Sequence, residues 1–287
     1  MNEATGLKLL EEHYAHGGRV RFYEHQSSVL GLPARFGVFL PPAACQGSRV
    51  PVVYALAGLT CTHETFLIKS CALAEAARLG IALVTPDTSP RGAGVEGEAT
   101  DWDLGTGAGF YLDATQQPWA QHYRMGSYIA QELPLLVEEA LPLDGAKRGI
   151  MGHSMGGHGA LVHGLQAPLF WKSVSAFAPV VHPSVVPWGK KALSTYLGQD
   201  HAAWREHDAV CLLEDGHRHS APILVDTGSA DQFLRRELQP WLLVEAAEKT
   251  GQSLICREQE GYDHSYWFVQ SFVTDHLRHH ASVFGVA

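Results

Sequence analysis

No apolar run in this sequence approaches the roughly 18 residues that a membrane-spanning helix needs, so no membrane partner is expected. No Pro/Gly/Ser-rich linker and no block of like charge interrupts the chain. One α/β domain over residues 1–287 is therefore expected, with 180–215 as a small cap-like excursion of short helices and loops. Met1-Asn2-Glu3-Ala4-Thr5 lacks a basic segment leading into an apolar one, so no secretory signal is expected. Basic residues are too few for a nucleic-acid footprint: 21 Lys and Arg stand against 30 Asp and Glu, a net charge of -9. Cysteine is sparse and unpaired in spacing, at 45, 61, 71, 211 and 256. An odd count without paired spacing excludes a disulfide framework and fits a reducing compartment.

Histidine, by contrast, is abundant, with 17 in the chain. His217 with His219, and His279 with His280, raise the question of a metal. Neither pair has the His-x-x-x-His spacing or the nearby cysteines of a zinc site. Solvated surface histidines and no metal are expected.

Residues 19–30 and 34–40 alternate polar and apolar side chains around Gly31-Leu32-Pro33, which predicts an antiparallel hairpin at one sheet edge. The pattern then changes. Continuous apolar runs at 51–58, 81–87, 173–179 and 222–228 read as strands buried on both faces. Shorter strands are expected at 147–151 and 253–258. Helices are expected near 71–79, 127–141 (kinked or restarted at Pro134), 157–165, 236–249 and 265–280. Strands alternating with helices predict a mostly parallel central sheet with helices on both faces. Residues 88–125 are Gly-rich and irregular. Gly105-Thr106-Gly107-Ala108-Gly109 is no nucleotide loop, because no apolar strand runs into it. A functional surface loop near the active site is expected there.

Gly152-His153-Ser154-Met155-Gly156 matches the Gly-x-Ser-x-Gly nucleophile elbow, a sharp strand-to-helix turn that lifts a serine out of a sheet. A serine hydroxyl needs an imidazole to take its proton and a carboxylate to hold that imidazole's tautomer. In α/β-hydrolases these follow the serine in the order acid, then histidine. His264 stands just past the last strand and is the preferred base over His153, His158, His182, His201 and His207. Asp226 and Asp231 both follow the strand at 222–228; the loop position favours Asp231, leaving Asp226 to satisfy nearby backbone N–H groups. Asp263 is discounted because sequence neighbours orient each other poorly. One oxyanion donor should be the Met155 N–H. The other should lie in Gly58-Leu59-Thr60-Cys61, with the individual N–H left open.

Several blocks resemble the S-formylglutathione hydrolases, the esterase D type of α/β-hydrolase. They include Ala57-Gly58-Leu59-Thr60-Cys61-Thr62, Pro86-Asp87-Thr88-Ser89-Pro90-Arg91-Gly92 and Gly105 to Tyr111. Gly152 to Gly159, Ser175 to Pro179, Pro187 to Ala192, Asp231 to Leu234 and Gly261 to Tyr266 continue the likeness from about residue 20 to 280. The resemblance implies a triad of Ser154, Asp231 and His264, with Leu59 and Met155 N–H groups as the oxyanion hole. It implies hydrolysis of the glutathione thioester to formate and glutathione, no cofactor, a cytoplasmic location and a homodimer. Asp226-Thr227-Gly228 and His63-Glu64-Thr65-Phe66 depart from commoner family versions. Trp188 is a candidate pocket wall, and Lys190 and Lys191 are candidate partners for the anionic substrate. Cys61 is read as a small buried residue beside the oxyanion loop rather than a reactive thiol. The rival readings are a broad carboxylesterase on the same fold and a non-catalytic binding scaffold.

Overall fold

The computed structural model describes residues 6–286. Met1 to Thr5, where no secretory signal is expected, lie outside them. Nine strands form one sheet in the order β1-β2-β3-β5-β4-β6-β7-β8-β9. The first three are β1 (Lys8–Ala15), β2 (Gly18–Gln26) and β3 (Pro33–Leu40). They form an antiparallel meander, and β3 pairs antiparallel with β5 (Ala82–Pro86). From β5 onward the sheet is parallel, through β4 (Val50–Leu56), β6 (Leu143–His153), β7 (Ser173–Phe177), β8 (Ile223–Gly228) and β9 (Leu254–Gln259).

The expected hairpin is β2 and β3, but it is not the edge. β1 lies outside it, joined through His16 and Gly17, both at positive φ, as a two-residue primed turn requires. The sequence hides β1 because it is exposed on nearly every residue and so shows no alternation. A register shift between Leu9 and Glu11 bends it.

The continuous apolar runs are buried strands, as expected: every residue of β4, β5, β7 and β8 is buried. Helices cover both faces. Leu73–Leu79 and Tyr266–Phe284 pack together, while Met155–Gln166 and Pro240–Thr250 both meet Ala209–Glu214. Gly80, Gly251 and Gly285 end three of these helices in the left-handed conformation. The helix near 127–141 restarts at Leu133, because Pro134 cannot continue an i→i−4 ladder; a single π turn, Tyr128–Glu132, precedes it. Residues 180–215 carry the short helices Pro187–Leu197, His201–Arg205 and Ala209–Glu214. No helix is long and apolar enough to cross a membrane among the described residues.

The histidine expectation is corrected. His217 is exposed, but His219 and His280 are buried and His279 is partly buried. His280 lies between Ser173 Oγ (2.5 Å) and Ser175 Oγ (3.0 Å), and His219 between the Trp171 and Ala221 carbonyls (2.8 and 3.0 Å). Buried polar rings must find partners inside the protein, and here the sheet and its loops supply them.

Candidate active site

The site is built where β6 runs into the helix Met155–Gln166. Ser154 occupies the turn at φ 59°, ψ -119°, a conformation that a non-glycine residue adopts only under strain of about 1–3 kcal/mol. Two contacts make the strain unavoidable. A Cβ on Gly152 would stand 2.1 Å from the Gly156 carbonyl oxygen, and one on Gly156 would stand 2.1 Å from the Leu56 carbonyl oxygen. Strand and helix therefore approach more closely than any side chain permits. The Ser154 N–H donates to the Phe177 carbonyl (2.8 Å), which pins the turn to β7.

Two loops converge on this serine. Beyond β8, the Ser229 N–H donates to Gln259 O (3.0 Å) and the Ala230 N–H to Tyr262 O (2.9 Å). These bonds staple the Asp231 loop to the His264 loop. His264 Nε2 stands 2.8 Å from Ser154 Oγ, and Nδ1 stands 2.6 Å from Asp231 Oδ2. A carboxylate only accepts, so Nδ1 carries the proton, and Nε2 offers its lone pair to the serine hydroxyl. The other Asp231 oxygen accepts from the Phe233 N–H (2.8 Å). The His264 ring packs edge-on against Phe233 (5.0 Å between centroids) and at a tilt of 41° against His153 (4.8 Å). His153 is buried; burial, then the neighbouring His264, pushes its pKa well below the usual histidine range. It stays neutral beside His264.

Asp226 stands elsewhere, and the expectation that it binds backbone N–H groups is corrected. Its carboxylate takes a bidentate pair from Arg257 Nε and Nη2, both 2.6 Å, and lies 3.3 Å from His276 Nε2. Burial raises its pKa, but the hydrogen bonds from His276 and Arg257 outweigh burial and hold it below the usual carboxylate range. Asp263 turns away towards the closing helix, accepting from the N–H (3.0 Å) and Oγ (2.5 Å) of Ser265, the residue that caps that helix.

Gly58 to Cys61 form a tight turn closed by the Cys61 N–H to the Gly58 carbonyl (3.3 Å). A Cβ on Gly58 would stand 3.1 Å from Ser154 Cβ, so this turn lies directly against the serine. Neither the Leu59 nor the Met155 N–H donates to an acceptor among the described residues; Met155 is the first residue of its helix, where no intrahelical acceptor exists. Thr60, at φ 67°, donates its N–H to Gly107 O (2.9 Å), and a Cβ on Gly107 would meet Thr60 Cα at 3.0 Å. The Gly105–Gly109 segment thus lies next to the site. It is mostly buried beneath the turn rather than on the surface.

A cavity of about 220 Å³ opens over Ser154 and His264. Leu59, Cys61, Lys69, Trp102, Trp188 and Phe233 line it. Trp188 packs against Phe233 (4.6 Å) and Trp102 (5.6 Å). Lys190 is exposed and does not line the cavity. Lys191 is tied to Asp101 (2.9 Å) and Asp103 (2.6 Å), so its charge is already matched. Lys69, which the sequence did not flag, is the cationic wall. Trp102 was also missed, since nothing in an irregular loop says which residues face inward. Burial pushes the Cys61 thiol pKa up, which disfavours the thiolate.

Of the other histidines, His158 and His163 are buried with pKa values pushed down to about 4 by desolvation. His182 pairs with Asp208 (2.7 Å), and Cys211 completes a cluster with the donor set for a metal ion. The Asp208 oxygens already accept from the Val210, Cys211 and Ser184 N–H groups and the Ser184 hydroxyl. The cluster therefore works as a helix cap.

The Esterase family matches residues 27–279. The chain is 49% identical to the S-formylglutathione hydrolase of Paracoccus denitrificans, over 97% of this chain and 98% of that protein. Against the S-formylglutathione hydrolase of Arabidopsis thaliana the identity is 48%, with the same shares covered. A solved S-formylglutathione hydrolase from Agrobacterium tumefaciens superposes with a TM-score of 0.94 at 46% identity, covering 97% of this chain and 100% of that one. With its parallel sheet, its elbow and these relatives together, the chain belongs to the S-formylglutathione hydrolase family of α/β-hydrolase esterases.

Proposed function

We propose that this chain hydrolyses S-formylglutathione to formate and glutathione, with Ser154 as nucleophile, His264 as general base and acid, and Asp231 orienting the imidazole. The unbroken hydrogen-bond line Asp231–His264–Ser154 carries this reading. His264 Nε2 takes the Oγ proton as Oγ bonds to the formyl carbon. The carbonyl oxygen gains negative charge and is held by the Leu59 and Met155 N–H groups. The thiolate departs and takes the proton from His264. Water, deprotonated by the same imidazole, then attacks the formyl-enzyme, and formate leaves as Ser154 regains its proton. No step calls for a metal or organic cofactor.

A cavity of about 220 Å³ falls below the roughly 300 Å³ typical of drug-sized ligand sites. That suits a one-carbon acyl group, with the peptide arms of glutathione directed outward and a carboxylate within reach of Lys69. Trp188 and Cys61 act as pocket walls in this reading, and Lys190 plays no part. The enzyme works as a single domain in a cytoplasmic homodimer.

Two measurements test the proposal. A serine-directed phosphonate should label the protein and spare Ser154→Ala; labelling that persists in the variant overturns the nucleophile. The kcat/KM for S-formylglutathione should exceed that for short aryl esters by at least about 10-fold, equivalent to about 1.4 kcal/mol. Equal values favour a broad carboxylesterase.

A further inference from the structure

The turn carrying the Leu59 N–H is held from behind. The carbonyl of Cys61, the residue whose N–H closes that turn, accepts from Thr88 Oγ1 (2.6 Å) and from Arg91 Nη2 (2.7 Å). Asp87 holds both donors: its Oδ1 accepts from the Thr88 N–H (2.7 Å) and from Arg91 Nε (3.0 Å) and Nη2 (2.5 Å). Asp87 is buried, and the guanidinium bonds it makes are charge-assisted, the stronger class of hydrogen bond. The turn needs such support. Thr60 sits at φ 67°, where a β-branched residue is strained, so the turn does not hold its shape unaided. Gly107 braces it through the Thr60 N–H, and the Asp87–Arg91–Thr88 group braces it through the Cys61 carbonyl.

We propose that Asp87, Thr88 and Arg91 are positioning residues for the oxyanion hole, clamping the Cys61 carbonyl so that the Leu59 N–H stays aimed at the carbonyl oxygen bound at Ser154. The inference rests on reading the Leu59 N–H as an oxyanion donor. A backbone donor cannot be deleted by substitution, so its clamp is the handle on it. Arg91 also lines a separate cavity of about 670 Å³, bounded by Leu30, Pro33, His63 and Met125, through which a small cation reaches the guanidinium position.

The test uses Arg91→Ala and Arg91→Lys, with rates counted per site titrated by the phosphonate, so that misfolded protein drops out. A displacement of about 1 Å in a catalytic group costs about 100-fold. Arg91→Ala should therefore lose about 10- to 100-fold in kcat with KM within about twofold. An aryl trifluoromethyl ketone, whose serine adduct carries the oxyanion, should lose affinity by the same factor. Arg91→Lys keeps the charge but not the fork that spans Asp87 and Cys61, and should fall between. Ethylguanidinium should restore part of the Arg91→Ala rate. If Arg91→Ala does not fold, the paired kcat and ketone losses in Arg91→Lys decide. A loss confined to KM, ketone affinity at the parent value, or a kcat loss that ethylguanidinium leaves untouched in folded Arg91→Ala overturns the clamp. Failure of the parent protein to take the phosphonate overturns instead the reading of Ser154.

Discussion

Asp226 and Asp231 lie on one strand-to-loop segment, and each faces a histidine. Asp231 meets His264 at 2.6 Å and Asp226 meets His276 at 3.3 Å. The difference lies in what else each pair touches. His276 is fully buried, stacked on Phe177 at 3.6 Å, and its Nδ1 has no hydrogen-bond partner among the described residues. Asp226 has its charge matched by Arg257. Among the described residues Asp231 has only neutral N–H donors, so its charge remains available to an imidazolium, and His264 has the Ser154 hydroxyl on its far nitrogen. A carboxylate–imidazole pair is therefore no mark of catalysis. A free charge behind the ring and a hydroxyl in front of it are what distinguish one.

The widest separation between the two should be in rate. Asp231→Asn should lower kcat by about 10⁴, because the asparagine no longer holds the tautomer with Nε2 unprotonated. Asp226→Asn should stay within about threefold per titrated site, and the reverse order would exchange the two roles. Stability should separate them in the opposite sense. Asp226→Asn removes one carboxylate from Arg257, which keeps Asp275 at 3.0 Å, and should cost about 2–3 kcal/mol in urea unfolding, below the roughly 3–5 kcal/mol of a fully buried pair because Arg257 is one-third exposed and retains that second partner. Asp231→Asn should cost about 1 kcal/mol or less, since only hydrogen bonds to neutral donors change. Equal losses would mean that Asp231 is also a structural anchor.

The smallest effect sharpens the contrast between the Asp231–His264 pair and the other buried histidines. His158 and His163 have folded pKa values near 4, below the unfolded value of about 6.5. The unfolded chain thus binds more protons between those limits, and stability falls as pH drops from about 6.5 towards 4. Each group contributes a slope of up to about 1.4 kcal/mol per pH unit in that window. His163→Gln keeps a donor for the Tyr111 carbonyl, which His163 Nε2 reaches at 3.0 Å. It should flatten the slope between pH 6 and 5 by about 1 kcal/mol per unit; an unchanged slope would mean that this ring does not govern acid sensitivity.

Much of the fold was legible because burial on both faces leaves a pattern: β4, β5, β7 and β8 are continuous apolar runs. β1 left none, since an exposed edge strand has no apolar period. The meeting of Ser154, His264 and Asp231 was legible from the elbow and from the order of residues after it. The partners of Asp226 were not, because Arg257 and His276 come from β9 and the closing helix, and only tertiary packing brings them together. The surface reading of His280 failed for a related reason: Ser173 and Ser175, its partners, are distant in sequence. Lys69 gives no local cue that it faces the pocket, whereas Lys191 advertises a charge that Asp101 and Asp103 consume.

β1 forms one edge of the sheet, a row of backbone groups with no strand beyond them among the described residues. Such a border invites a stray chain to add itself, and repeated addition is how fibrils grow. Lys8, Glu11, Glu12 and His13 stud this strand with charge and polarity, and the bulge between Leu9 and Glu11 breaks its flatness. A crowded or heat-stressed solution should therefore find this margin a poor template, and the molecule should resist ordered aggregation starting there.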